Sequence, residues 1–126
     1  MSDLTFPRHQ RLLTAGDYRR VFNAVQFRVP SRHFLILATP NDTEHARIGL
    51  IFAKKNLKRA VDRNRIKRLT RESFRHHKQQ LPAVDIVVLG RRGLAELDNA
   101  SVYRILDKLW HRLGKAAKQT GTEPNQ

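Results

Sequence analysis

From residue 63 the chain reads Arg63-Asn64-Arg65-Ile66-Lys67-Arg68-Leu69-Thr70-Arg71-Glu72-Ser73-Phe74-Arg75, with apolar residues at helical spacing and cations at most of the other positions. A guanidinium grips phosphate with paired hydrogen bonds and stacks on bases, so this composition points to a nucleic-acid partner. Successive helix residues turn by about 100°. With Ile66 as zero, Leu69, Thr70, Ser73 and Phe74 all fall within about 80° and form the inward face. Arg63 and Lys67 lie on one flank, at about 60° and 100°, and Arg65 and Arg68 on the other, at about −100° and −160°. Asn64, Arg71 and Arg75 form the outer ridge. A single DNA groove would need one flank; two suit two anionic surfaces, or one large folded one. Asn64 is a poor choice for a merely solvated helix position, where Lys or Glu serves as well. Its amide can meet a phosphate or a base edge; the plainer reading is a residue of the first helical turn or its cap.

Catalysis by the chain itself finds no comparable set of residues. Metal-dependent phosphodiester hydrolysis needs carboxylates converging on Mg²⁺. The eleven acids are scattered, and three have simpler places: Asp17 and Asp98 as helix caps, Glu72 as partner of Arg68 one turn away. No two of the six histidines sit in a frame for acid–base cleavage. His76 and His77, as neighbours, diverge by about 100° on a helix. The absence of cysteine excludes a thiolate nucleophile and a disulfide framework. Gly90-Arg-Arg-Gly93 is too short for a phosphate-cradling P-loop. No catalytic residue, no metal site on the protein and no small-molecule substrate are expected.

These side chains must be held by one domain, since 126 residues do not make two. The net charge is +14, with 17 Arg to 8 Lys, and it is uneven: residues 54–78 carry eleven cations against two acids. A solvated face would mix signs, so the imbalance again favours a polyanion. The longest apolar run, Phe34–Ala38, is far short of a membrane span. The first residues lack the apolar stretch of a secretory signal, so a cytoplasmic location with no membrane partner is expected.

Residues 1–13 read as an extended basic segment, with Phe6-Pro7 able to tuck against the body and Arg8 and Arg11 exposed. Thr14-Ala-Gly-Asp17 has the spacing of a capping box, and Tyr18, Val21, Phe22 and Val25 follow at helical spacing, which predicts a first helix over about 15–24. Strands are predicted around 25–29, 33–40 and 46–53, and the short links between them favour antiparallel pairing. Gly49 within the third marks a bulge or a close backbone approach. The basic helix spans about 59–78. Val84–Leu89, almost wholly apolar, reads as an interior strand. Asp98 caps a last helix whose stripe is Val102, Ile105, Leu106, Leu109, Trp110 and Leu113. The order α-β-β-β-α-β-α predicts an α+β sandwich on a small four-stranded mixed sheet. One RNA-binding domain covers 1–119, and 120–126 is expected to be a flexible tail. Arg91 and Arg92 either extend a cationic wall or sit in a solvated turn.

Ile48-Gly-Leu-Ile-Phe-Ala-Lys-Lys55 followed by Ala60-Val-Asp-Arg-Asn-Arg-Ile-Lys-Arg-Leu-Thr-Arg-Glu-Ser-Phe-Arg75 closely resembles the protein subunit of bacterial ribonuclease P. Phe6-Pro-Arg8, Arg11-Leu-Leu-Thr14, Val21-Phe22, Leu81-Pro-Ala83 and Leu97-Asp-Asn99 extend the resemblance over about 4–113. It implies a ribosomal-protein-like fold with a left-handed β-α-β crossover, where general rules would favour the right hand. It implies a large catalytic RNA partner that performs Mg²⁺-dependent removal of the 5′ leader from precursor tRNA, the metal being held mainly by RNA and substrate. By the same resemblance, Tyr18 and Phe22 line a leader-binding cleft with Arg63, Asn64 and Lys67. Arg65, Arg68 and Arg71 face the catalytic RNA, with Lys54, Lys55 and Arg11 as further basic positions. The family often has Phe where Tyr18 stands. The alternative is a ribosomal or ribosome-assembly RNA binder. A helix-turn-helix DNA reader is disfavoured by the strand that follows the basic helix.

Overall fold

Thr14 and Asp17 start the first helix as their spacing predicts. The Thr14 hydroxyl accepts from the Asp17 amide at 3.0 Å, and the Asp17 carboxylate accepts from the Thr14 amide at 3.1 Å. The structure is a computed structural model and describes residues 8–12 and 14–121. The expected seat of Phe6-Pro7 and the last five residues of the expected tail lie outside these. Within them run α1 (Ala15–Asn23), β1 (Phe27–Pro30), β2 (Phe34–Pro40), β3 (Arg47–Ile51), α2 (Ala60–His77), β4 (Val84–Gly90) and α3 (Asn99–Gly121). The order matches the α+β expectation, and the sheet is four-stranded and mixed.

Strand order departs from the simplest reading. β1 and β2 form the expected antiparallel pair, but β2 and β3 do not touch as partners. The sheet runs β1-β2-β4-β3, with β4 antiparallel to β2 and parallel to β3. The 41–46 connection passes across the start of β4, where the Asn41 amide donates to the Ala83 carbonyl at 3.1 Å. The apolar run of β4 is satisfied by this central position, with a strand on each side and helices on both faces. β3, α2 and β4 thus form the β-α-β unit in which the unusual crossover is expected.

One face of the sheet presents Phe27, Val29, Phe34, Ile36, Ile48, Ile86 and Val88 to α2 and α3. α2 contributes Ile66, Leu69 and Phe74, the inward face read from its angles, with Thr70 and Ser73 also buried. Trp110 of α3 meets Phe74 edge-on at 5.8 Å, and its indole N–H donates to Ser73 Oγ at 2.8 Å. Asp98 caps α3 by accepting from the Ser101 amide at 2.8 Å. The opposite face is covered only in part. Val21 of α1 and Leu12 of the segment before it seal Leu37 and Val87, while Leu35, Leu89 and Ile51, one register row away, stay half-exposed. Phe22, placed by its spacing on the apolar stripe of α1, is 43% exposed.

Glu72 has a different partner from the one its spacing suggested. It accepts from Arg75 Nη2 at 2.6 Å and meets His76 Nε2 at 3.1 Å, both toward the helix C-terminus rather than at Arg68. The Arg75 hydrogen bond, against some desolvation and with help from His76, holds the Glu72 carboxyl below its ordinary range.

Candidate nucleic-acid interface

β3 is an edge strand, with α1 on one face of the sheet and α2 on the other. Side chains of the two helices can therefore meet around the outer edge of β3. There Tyr18 of α1 and Lys67 and Arg71 of α2 line a cavity of about 240 Å³, together with Arg11, Ile48, Gly49 and Leu50. Arg11 reaches the edge because its segment docks along β3: it forms a parallel bridge with Ile48, and the Leu12 amide donates to the Ile48 carbonyl at 3.0 Å. The close approach expected at Gly49 is to Tyr18. A Cβ at residue 49 would lie 2.6 Å from the Tyr18 Cζ and hydroxyl.

Electrostatically this cavity is one-sided. Among the described residues three cations line it and no acid does. Arg11 Nε is buried, with no hydrogen-bond acceptor among the described residues. A buried donor of this kind is costly unless an acceptor arrives. An anionic oxygen is the group that would meet all three cations together.

The other sequence-predicted residues are distributed around that edge rather than within it. Arg63 turns back on the preceding loop, its Nη1 donating to the carbonyls of Leu57 at 2.7 Å and Lys58 at 3.1 Å. Asn64 and Arg68 are exposed on the outer side of α2, and Lys54 and Lys55 are exposed in the turn after β3. Arg65 is half-buried. It donates to Asn99 Oδ1 at 2.8 Å and to the Leu97 and Ala95 carbonyls at 3.0 and 3.3 Å, which fastens α2 to the segment before α3. Arg71 and Arg11, grouped at first with Arg65 and Arg68, thus share a cavity with Tyr18 and Lys67.

One further cluster, not legible as a site in the sequence, sets the pose of α1. Asp85 is fully buried and accepts from Arg47 Nε at 2.8 Å and Nη2 at 2.7 Å, from Asn41 Nδ2 at 2.8 Å, and from Arg20 of α1. The hydrogen bond to Asp85 raises the Arg47 pKa above its ordinary value, against desolvation. The available signal was a carboxylate inside the apolar run Val84-Asp-Ile-Val-Val, a position that requires a cationic partner. Among the described residues no group of three or more His, Asp or Glu side chains is placed to hold a metal ion, and no helix is long and apolar enough to cross a membrane.

The ribonuclease P family model matches residues 6–114. The chain is 56% identical over 119 residues to the ribonuclease P protein component of Chromohalobacter salexigens, covering 94% of this chain and 93% of that one. It is 57% identical over 120 residues to that of Marinobacter nauticus, covering 95% and 90%. Among solved structures it is similar to the RNase P protein of Thermotoga maritima, with TM-score 0.69 and 30% identity over 80% of this chain and 96% of that one. It is also similar to a Staphylococcus aureus RNase P protein mutant described as defective in mRNA degradation, with TM-score 0.75 and 29% identity over 88% and 90%. A basic helix in its full sequence frame, the α+β sheet that carries it, and relatives more than half identical along nearly their whole length agree: this chain belongs to the ribonuclease P protein family.

Proposed function

We propose that this ribonuclease P protein acts as a non-catalytic subunit, binding the catalytic RNA and the single-stranded 5′ leader of precursor tRNA in the cytoplasm. The RNA carries out the hydrolysis with Mg²⁺ held by RNA and substrate phosphates; bound there, the metal activates the attacking water and stabilises charge on the phosphate. The observation that carries the reading is the cavity at the β3 edge, where Arg11, Lys67 and Arg71 gather beside the Tyr18 ring with no acid among the described residues that line it. Cations along a groove and aromatic faces within it are what a single strand needs, with stacking worth about 1–3 kcal/mol per base. The half-exposed row Leu35, Leu89 and Ile51 supplies an apolar floor, and Phe22 a second exposed ring. Arg63 and Asn64 belong to the leader side by the resemblance. Arg65, Arg68, Lys54 and Lys55 form the surface toward the catalytic RNA; Arg11 and Arg71, assigned there by the resemblance, stand where either RNA can meet them.

Cleavage of a precursor tRNA at low Mg²⁺ tests this, using protein alone, bacterial ribonuclease P RNA alone, and both together. Correct 5′ processing is expected only from the mixture or much faster in it. Cleavage of precursor tRNA by pure protein would place an active site on the chain. No gain from adding protein would leave a general RNA binder. The discrimination between precursor and mature tRNA is expected to fall in Y18A/F22A.

A further inference from the structure

α3 carries five cations against a single acid, Asp107, and they are not scattered around it. With Arg104 as zero, Lys108, Lys115 and Lys118 all lie within about 40°, and His111 falls among them. Val102, Leu106, Leu109 and Leu113, buried in the core, lie at about 140–180°, so the cations form the outermost line of the helix. All of them are exposed, along about 21 Å of helix axis. Arg104 and Lys108 are four residues apart, Lys115 and Lys118 three. Like charges at these spacings repel and weaken a helix, and a merely solvated face would interleave acids. The charged residues beside the line turn to its neighbours. Arg112 Nη1 donates to the Pro30 carbonyl of β1 at 3.1 Å, and the Asp107 carboxylate lies 3.4 Å from His77 Nε2 of α2.

We infer that this line is a second docking strip for the phosphate backbone of the catalytic RNA. The inference rests on the reading above in which Arg65 and Arg68 face that RNA. α2 and α3 cover the same face of the sheet, and Arg65 is fastened to Asn99, the first residue of α3. The flank of α2 that carries Arg65 is thus the one turned toward α3. Packed helices lie about 8–10 Å apart, so a folded RNA seated on that flank extends over the next helix. The leader does not fit as occupant, because α1 and the half-exposed row Leu35, Leu89 and Ile51 are on the opposite face. A lipid surface does not fit either, since the apolar side of α3 is already buried. Residue types agree with this division. α2 presents mainly Arg, while the α3 line is mainly Lys, a compact hydrated charge that meets phosphates without reading bases.

The test titrates bacterial ribonuclease P RNA with the full chain at several salt concentrations, without tRNA. K108A/K115A should weaken binding on the order of fivefold, as two exposed ion contacts would. The slope of affinity against salt should fall by about 0.7–0.9 per phosphate contact removed. R19A/R28A removes the same charge from exposed positions of α1 and β1 and should leave affinity near wild type. Equal losses in the two variants would reduce the effect to net charge and overturn the inference. Unchanged affinity in K108A/K115A, where Arg68→Ala weakens it, would overturn it too. Wild-type affinity in both would instead sink the reading of α2 as facing the catalytic RNA. Discrimination between precursor and mature tRNA by the holoenzyme should not move, and a loss confined to it would make the strip a substrate contact. K108A/K115A should melt no lower than wild type, since alanine favours helix and the substitutions relieve repulsion, so weaker binding would not reflect misfolding.

Discussion

The hydroxyl end of the Tyr18 ring sits against the β3 backbone because residue 49 has no side chain. Gly49→Ala would push the ring aside, and since the colliding atoms are the far end of a side chain, stability should change little. Leader discrimination should fall by the worth of about one stacked base, ~1–3 kcal/mol. Adding Tyr18→Ala to Gly49→Ala should cost nothing further, and an additive double variant would mean that the ring and the glycine act separately. The two arginines of the outer flank are not equivalent either. Arg65→Ala removes three hydrogen bonds from a half-buried guanidinium and should destabilise by about 1.5–3 kcal/mol, as measured in urea. Arg68→Ala touches an exposed side chain and should stay within about 0.5 kcal/mol of wild type while weakening affinity for the catalytic RNA. A stable Arg65→Ala, or an Arg68→Ala with unchanged RNA affinity, would contradict this division. Residue types were readable in the sequence because arginine and asparagine announce phosphate and base contacts. What each guanidinium touches was not, because the carbonyls of residues 95 and 97 reach Arg65 only through the tertiary fold.

Elements were more legible than their arrangement. Capping boxes and helical stripes are local, so α1, α2 and α3 follow from spacing within a few residues, and the unbroken apolar character of β4 marked it as interior. Its neighbours could not be read the same way. A strand buried on both faces says that partners exist, not which they are, and the short link from β2 to β3 fits a hairpin as well as the observed step across β4. The helices carry a testable acid limit. Glu72 is held below its ordinary range by Arg75 first, and Asp98 by its hydrogen bonds from Ser101. A carboxyl with a lowered folded pKa stabilises fully above its unfolded value and loses that contribution as pH falls through the folded one. The melting temperature should therefore decline as pH drops below about 4, the ordinary carboxylate range. Asn caps as well as Asp, so E72Q/D98N keeps the α3 cap and removes both titrations. Its acid limb should be shallower than that of the wild type, whereas equal slopes would assign acid unfolding to other groups.

At the scale of the whole molecule, +14 on 126 residues is a self-repulsion that the fold concentrates rather than spreads. The excess in residues 54–78 was visible in the sequence. Its continuation was offered there only as one of two readings of Arg91 and Arg92, since the turns holding Lys54 and Lys55, Arg91 and Arg92, and Arg32 are far apart in the chain and share one end of the sheet only because β2 begins where β3 and β4 end. An anion that binds the folded state alone stabilises it by RT ln(1 + [L]/Kd), about 1.4 kcal/mol per site at tenfold over Kd. Sulfate should accordingly raise the melting temperature by several degrees beyond sodium chloride at equal ionic strength, with the single tryptophan, Trp110, reporting the packing of α3 on α2. Sulfate also favours compact states by its exclusion from protein surfaces, so the comparison needs a variant. In K67A/R71A the cavity at the β3 edge keeps only Arg11, and the excess over chloride should shrink. An excess that survives unchanged would belong to exclusion, and equal effects of the two salts would reduce the whole response to screening.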